Sequence, residues 1–202
     1  MSKPVRRRWI APCLAALVLA ACSERGPEAA APASAPAAPA ANTSSPAVAA
    51  DGPCRLLTDA EVRVVFPDAH AGKRDRSREQ YGIRTCVWDG DRSRFAVEVW
   101  SAKPGSVENE IRGLASGFID PVKPGAVNNV RFEPIAGVGD QAFAVLETRD
   151  AARGILGDAA VLVTQRGDQV VVLQSNDLAR RERGAALKAL AALGRSAVGR
   201  LR

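Results

Sequence analysis

Along the chain, hydrophobic and polar positions fall into three textures. A basic start (Lys3, Arg6, Arg7, Arg8) leads into an apolar run from Trp9 to Val18, and residues 23 to about 52 then carry mostly Ala, Pro and Ser with no period at all. From Pro53 onward the periods of helix and strand take over. Thr58-Asp59-Ala60-Glu61 is a capping box with Leu57 and Val62 placed as a hydrophobic staple. A helix is therefore predicted from Asp59, with Val62, Val65 and Phe66 inward and Pro67 as its stop. Residues 70–84 are polar and read as loop, and Thr85 to Trp88 reads as a strand ending at the turn Asp89-Gly90-Asp91. Phe95, Val97 and Val99 alternate with Ala96, Glu98 and Trp100, the two-residue period of a strand with one face in the core. A helix over 107–118, capped by Ser106, aligns Val107, Ile111, Leu114 and Phe118. Strands at 130–132 and 141–146 precede a hairpin of 160–165 with 169–174, turning at Arg166-Gly167-Asp168. Residues 177 to about 201 form the longest helix, apolar at Leu187, Leu190, Leu193, Val198 and Leu201 and weakened by Gly184, Gly194 and Gly199. This order predicts an α+β fold, an antiparallel sheet with helices packed on one face.

The first texture is the layout of a secretory signal, and its apolar run up to the cysteine is about 13 residues against the roughly 20 that span a bilayer. It ends at Leu19-Ala20-Ala21-Cys22, which resembles a bacterial lipoprotein lipobox. The resemblance implies cleavage before Cys22, a diacylglyceryl group on its sulfur and an acyl chain on the new amino terminus, hence a membrane partner through lipid. Several acyl chains hold a protein stably to a membrane where one does not. Ser23 stands where lipoproteins retained at the inner membrane carry Asp, so the resemblance implies an outer-membrane anchor facing the periplasm. The chain then divides into a signal peptide at 1–21, a lipidated tether at 22–52 and a single globular domain at 53–202. An extended tether of about 30 residues reaches about 90 Å.

Removing the signal changes the charge balance. Of the formal +6, four positive charges (Lys3, Arg6, Arg7, Arg8) leave with it, so +2 remains and a nucleic-acid partner is not expected. Cys13 leaves too and Cys22 takes lipid, so Cys54 and Cys86 remain as an even pair in an oxidising compartment. A structural disulfide is expected; a redox-active pair is the alternative, although reactive pairs usually sit close in sequence. Cys54-Arg55-Leu56-Leu57-Thr58-Asp59-Ala60-Glu61-Val62, Thr85-Cys86-Val87-Trp88 and Gly137-Val138-Gly139-Asp140-Gln141-Ala142 together resemble uncharacterised two-cysteine bacterial lipoproteins of a domain-of-unknown-function family. The resemblance supports the disulfide and the layered fold and implies no activity.

The remaining motifs are weak as chemistry. Gly137 to Ala142 lacks the helix that a dinucleotide fingerprint opens and reads as a tight turn before a strand, and Arg166-Gly167-Asp168 reads as a hairpin turn. His70 is the single histidine; with Asp68 and Asp75 it makes a poor metal set, and there is no nucleophile elbow. No enzyme, metal or cofactor is expected. Basic residues cluster at Lys73 to Arg84 and on the last helix, where Arg180, Arg181 and Arg183 are a candidate surface for an acidic partner or anionic polymer. The expected role is a non-catalytic envelope interaction module; the alternative is a small-ligand or lipid carrier with a cavity between the sheet and the last helix.

Overall fold

In the computed structural model, which describes residues 52–103 and 107–201, the capping box anchors one corner of the molecule. Thr58 Oγ1 accepts the Glu61 amide, and the Glu61 carboxylate accepts the Thr58 amide at 2.7 Å, opening helix α1 (Asp59–Val65). Leu57 and Val62, the two staple positions, are both buried. The signal, Cys22, the tether up to Asp51 and the cap residue Ser106 lie outside the described residues.

Seven strands form one antiparallel sheet: β1 (Lys73–Asp75), β2 (Arg84–Asp89), β3 (Arg94–Ser101), β4 (Phe132–Pro134), β5 (Gln141–Glu147), β6 (Ala159–Arg166) and β7 (Gln169–Ser175). Their order is β1-β2-β3-β7-β6-β5-β4. The β6–β7 hairpin closes through Gly167 and Asp168, with Gly167 at φ 58°, a backbone region open to glycine at little cost. Gly139 (φ 63°) ends the turn before β5, so the Gly137–Ala142 motif leads into a strand as expected, not into a helix.

Helix α1, the 3₁₀ turn Asp177–Arg180 and helix α3 (Arg183–Gly199) bury one face of the sheet, with Phe95, Val97, Val99, Leu162 and Leu173 beneath them. There Cys54 and Cys86 are joined in a disulfide, Cα atoms 5.1 Å apart, tying the entrance of α1 to the interior of β2. The α+β class, the antiparallel sheet and the disulfide are those the sequence predicts. One particular differs: helix α2 (Val107–Ala115) packs on the opposite face over β5 and β6, burying Val107, Ile111 and Ala115 with Val145, Val161 and Val163. Strands β6 and β7 are consequently apolar in both parities, the pattern of strands covered on both sides.

Other boundaries move for local reasons. The polar stretch predicted as loop contains β1, whose Lys-Arg-Asp has no apolar alternation; charged, short strands are typical of a sheet edge. β4 starts two residues late because Ala126–Asn129 forms a 3₁₀ turn and Val130 caps it. The last helix starts at Arg183 because the Glu182 carboxylate accepts the Gly184 and Ala185 amides as its cap. Its glycines do not break it. A Cβ on Gly194 would lie 2.5 Å from Leu162 Cδ2 and 3.0 Å from Val138 Cγ1, so glycine is what lets α3 sit down on the sheet.

Candidate functional site

The alternation of β3 sends Phe95, Val97 and Val99 into the α3 face and Ala96, Glu98 and Trp100 to the α2 face. Glu98 therefore stands in the middle of the sheet, opposite Thr85 of β2 on one side and Val172 of β7 on the other. Only 5% of Glu98 is exposed. A buried carboxylate demands a charged or hydrogen-bonding partner, and it is supplied by Arg78, whose Nη1 lies 2.7 Å from both carboxylate oxygens. Arg78 comes from the mostly exposed 76–82 turn, which the Asp75 carboxylate fixes by accepting the Ser77 amide at 2.8 Å.

Beside this pair runs a groove of about 510 Å³. Glu98, Asp158, Gln174, Asn176 and Arg78 supply its polar groups, and Leu114, Phe118 and Leu156 give it an apolar lip. The lip is set by α2. After the buried stripe Val107, Ile111 and Ala115, the helix gives way to a turn that carries Phe118, and Phe118 O accepts the Leu156 amide at 2.8 Å. Asp158, at the same edge, accepts the Arg149 amide at 2.9 Å and Arg180 Nε at 2.6 Å; the Arg149 amide, then Arg180, hold its carboxyl below the usual carboxylate range. Such a concavity, apolar at the rim with a few convergent polar groups, is a shape that binds ligands.

The residues singled out from sequence take other places. Arg180 pairs with Asp158, Arg181 donates to Val65 O and lies over the Phe66 ring, and Arg183 pairs with Glu133 and donates to Leu146 O. Each of the three arginines is thus tied to a different element, and Arg181 and Arg183 line one pocket together with Arg153. His70 is exposed, and the Asp68 carboxylate beside it is taken by the Arg92 amide and the Ser93 hydroxyl. Among the described residues no three metal-ligating side chains converge. Cys54 and Cys86 are joined, and Cys22 lies outside the described residues. Sequence reasoning passed over Glu98 and Arg78. The signal was a lone acid inside the run Phe95-Ala96-Val97-Glu98-Val99-Trp100, since an acid between core positions of a strand rarely goes without a partner.

The fold and groove define a class: an α+β layer domain, stapled by one disulfide, with a groove on the sheet face that carries α2. The chain belongs to the family described as protein of unknown function (DUF3558), whose model matches residues 17–186. No curated protein and no solved structure matches it.

Proposed function

We propose that the protein is a non-catalytic interaction module of the bacterial envelope, anchored by lipid at Cys22 to the outer membrane, with its domain held on the 22–52 tether in the periplasm. The observation that carries the binding role is the groove, whose lining offers hydrogen-bonding groups and an apolar lip. The family match opens at Leu17, ahead of Leu19-Ala20-Ala21-Cys22, so the lipobox and tether fall within the span shared with the family, which supports the anchor. A protein partner is favoured over an anionic polymer, because Arg180, Arg181 and Arg183 are each engaged within the fold. In-cell cross-linking of the wild type beside Cys22→Ala tests this. One dominant protein adduct, lost with the substitution, is expected; adducts indifferent to Cys22, or none, would contradict a tethered adaptor.

A small-ligand carrier is the second reading, favoured by the groove volume, which lies within the range of small-molecule sites. Organic-solvent extraction of the purified protein separates the two: a carrier releases bound lipid or another small molecule, and an adaptor does not.

A further inference from the structure

We propose that the floor of the groove is a receptor for an alkylguanidinium or alkylammonium group, with Glu98 as its anion and Arg78 as a resting occupant that the ligand displaces. The inference rests on the groove being the binding site and names the chemistry it selects.

Glu98 is the reason. An ionised carboxylate has two oxygens and about four acceptor positions, yet among the described residues it receives hydrogen bonds from a single nitrogen, Arg78 Nη1. The strong arginine–carboxylate arrangement is a fork, two nitrogens on two oxygens. Arg78, reaching in from its turn, meets both oxygens with one nitrogen, whereas a guanidinium arriving through the groove is free to present two. A second polar group points the same way. Thr85, directly across from Glu98 on the same face of the sheet, is 4% exposed, and its Oγ1 has no hydrogen-bond partner. A buried hydroxyl left unpaired is costly, and a nitrogen donor beside Glu98 would satisfy it.

The surroundings suit the rest of such a ligand. Leu114, Phe118 and Leu156 offer apolar contact to an aliphatic stem, and Gln174 and Asn176 offer amides to whatever carries it. The Arg78 side chain is 43% exposed and stands on a mostly exposed turn, so it can swing into solvent without uncovering an apolar core. Because the occupant competes with the ligand, apparent affinity is the intrinsic affinity multiplied by the fraction of molecules in which Arg78 has left.

The test is calorimetric titration of the purified full chain with agmatine and with the capped peptide acetyl-Leu-Arg-Leu-amide, on wild type, Arg78→Ala, and Arg78→Ala combined with Glu98→Gln. Arg78→Ala is expected to bind at least about tenfold more tightly than wild type, and the double variant to lose that gain. Equal affinity in wild type and Arg78→Ala, or a gain that survives Glu98→Gln, would overturn the proposal. Tighter binding of the peptide than of agmatine identifies a side chain of a protein as the source; equal affinities identify a free amine or guanidine. Should Arg78→Ala fail to fold, agmatine added to wild type must shift the amide resonances of Thr85, Glu98 and Gln174, and their immobility would refute the site. These measurements use no membrane or cellular partner, so failure of the anchored-adaptor proposal leaves their outcome intact.

Discussion

The two faces of the sheet are built to different standards. On the α3 face, large side chains pack on one another: Phe66 stacks on Phe95 at 5.2 Å between ring centroids, Trp88 lies 5.7 Å from Phe95, and all three are essentially buried. The same face carries the disulfide and the Glu61–Arg200 pair, which ties the start of α1 to the end of α3. On the α2 face the helix covers β5 and β6, while β3 and β7 hold Glu98 and Gln174 against a groove, with Thr85 of β2 buried beside Glu98. The cross-links gather on one face, and the other keeps the buried polar groups Thr85 and Glu98 beside its apolar cluster.

If that division holds, substitutions on the α3 face cost stability and those on the groove lip do not. The largest effect is expected from replacing Cys54 and Cys86 together by Ala. In the chain-entropy model the loss is roughly 3 to 4 kcal/mol, read as a lower urea midpoint, and a midpoint unchanged by reductant in the wild type would break the comparison. Next comes Gly72→Ala. Its Cβ would lie 2.5 Å from the Trp88 ring, while the Gly72 amide and Trp88 Nε1 both donate to Asp59 Oδ1. The ring is buried and stiff, so about 2 to 3 kcal/mol is expected. Gly194→Ala should cost less, about 1 kcal/mol, because alanine's better helix propensity offsets part of the crowding against Leu162.

The acid limb of stability supplies a fourth probe. Burial opposes ionisation of Glu61, but Arg200 and the Thr58 amide and hydroxyl outweigh it and lower its pKa from 4.5 to about 2. A depressed carboxyl stabilises the fold above its unfolded pKa and loses that contribution as pH falls from 4.5 towards 2. Arg200→Ala is expected to remove on the order of 2 kcal/mol at neutral pH and to flatten the decline in that window. An unaltered pH profile would take Glu61 out of the account. The smallest stability effect belongs to Leu156→Ala on the groove lip, where the half-exposed side chain leaves stability within about 0.5 kcal/mol of wild type.

Much of the α3 face was legible in the sequence because its signals are local. The capping box and the Phe95-Val97-Val99 alternation each fix their neighbours within a few residues, the even cysteine pair, 32 positions apart, has one way to join, and all three hold. The α2 face was not legible, for two physical reasons. Helix α2 has one apolar stripe, and nothing in a stripe says which side of the sheet it covers. The groove is made by tertiary placement: Arg78 and Glu98 are twenty positions apart, and Leu156 reaches Phe118 across a bridge between Ile119 and Ile155. Polar β1 was missed because hydrophobic periodicity is silent on an edge strand of Lys, Arg and Asp. The terminal arginines looked like one patch in sequence, but the 3₁₀ turn and the Glu182 cap point them to different partners.

The most direct measurement of the division between faces is site-specific photo-cross-linking in cells, with a benzophenone side chain placed at Leu156 on the groove lip or at Val64 on α1. Both positions are exposed, 50% and 83%, so access alone does not separate them. A discrete adduct from Leu156 and none from Val64 is the result this account predicts. An adduct from Val64 without one from Leu156 would place the working surface on the wrong face and contradict it.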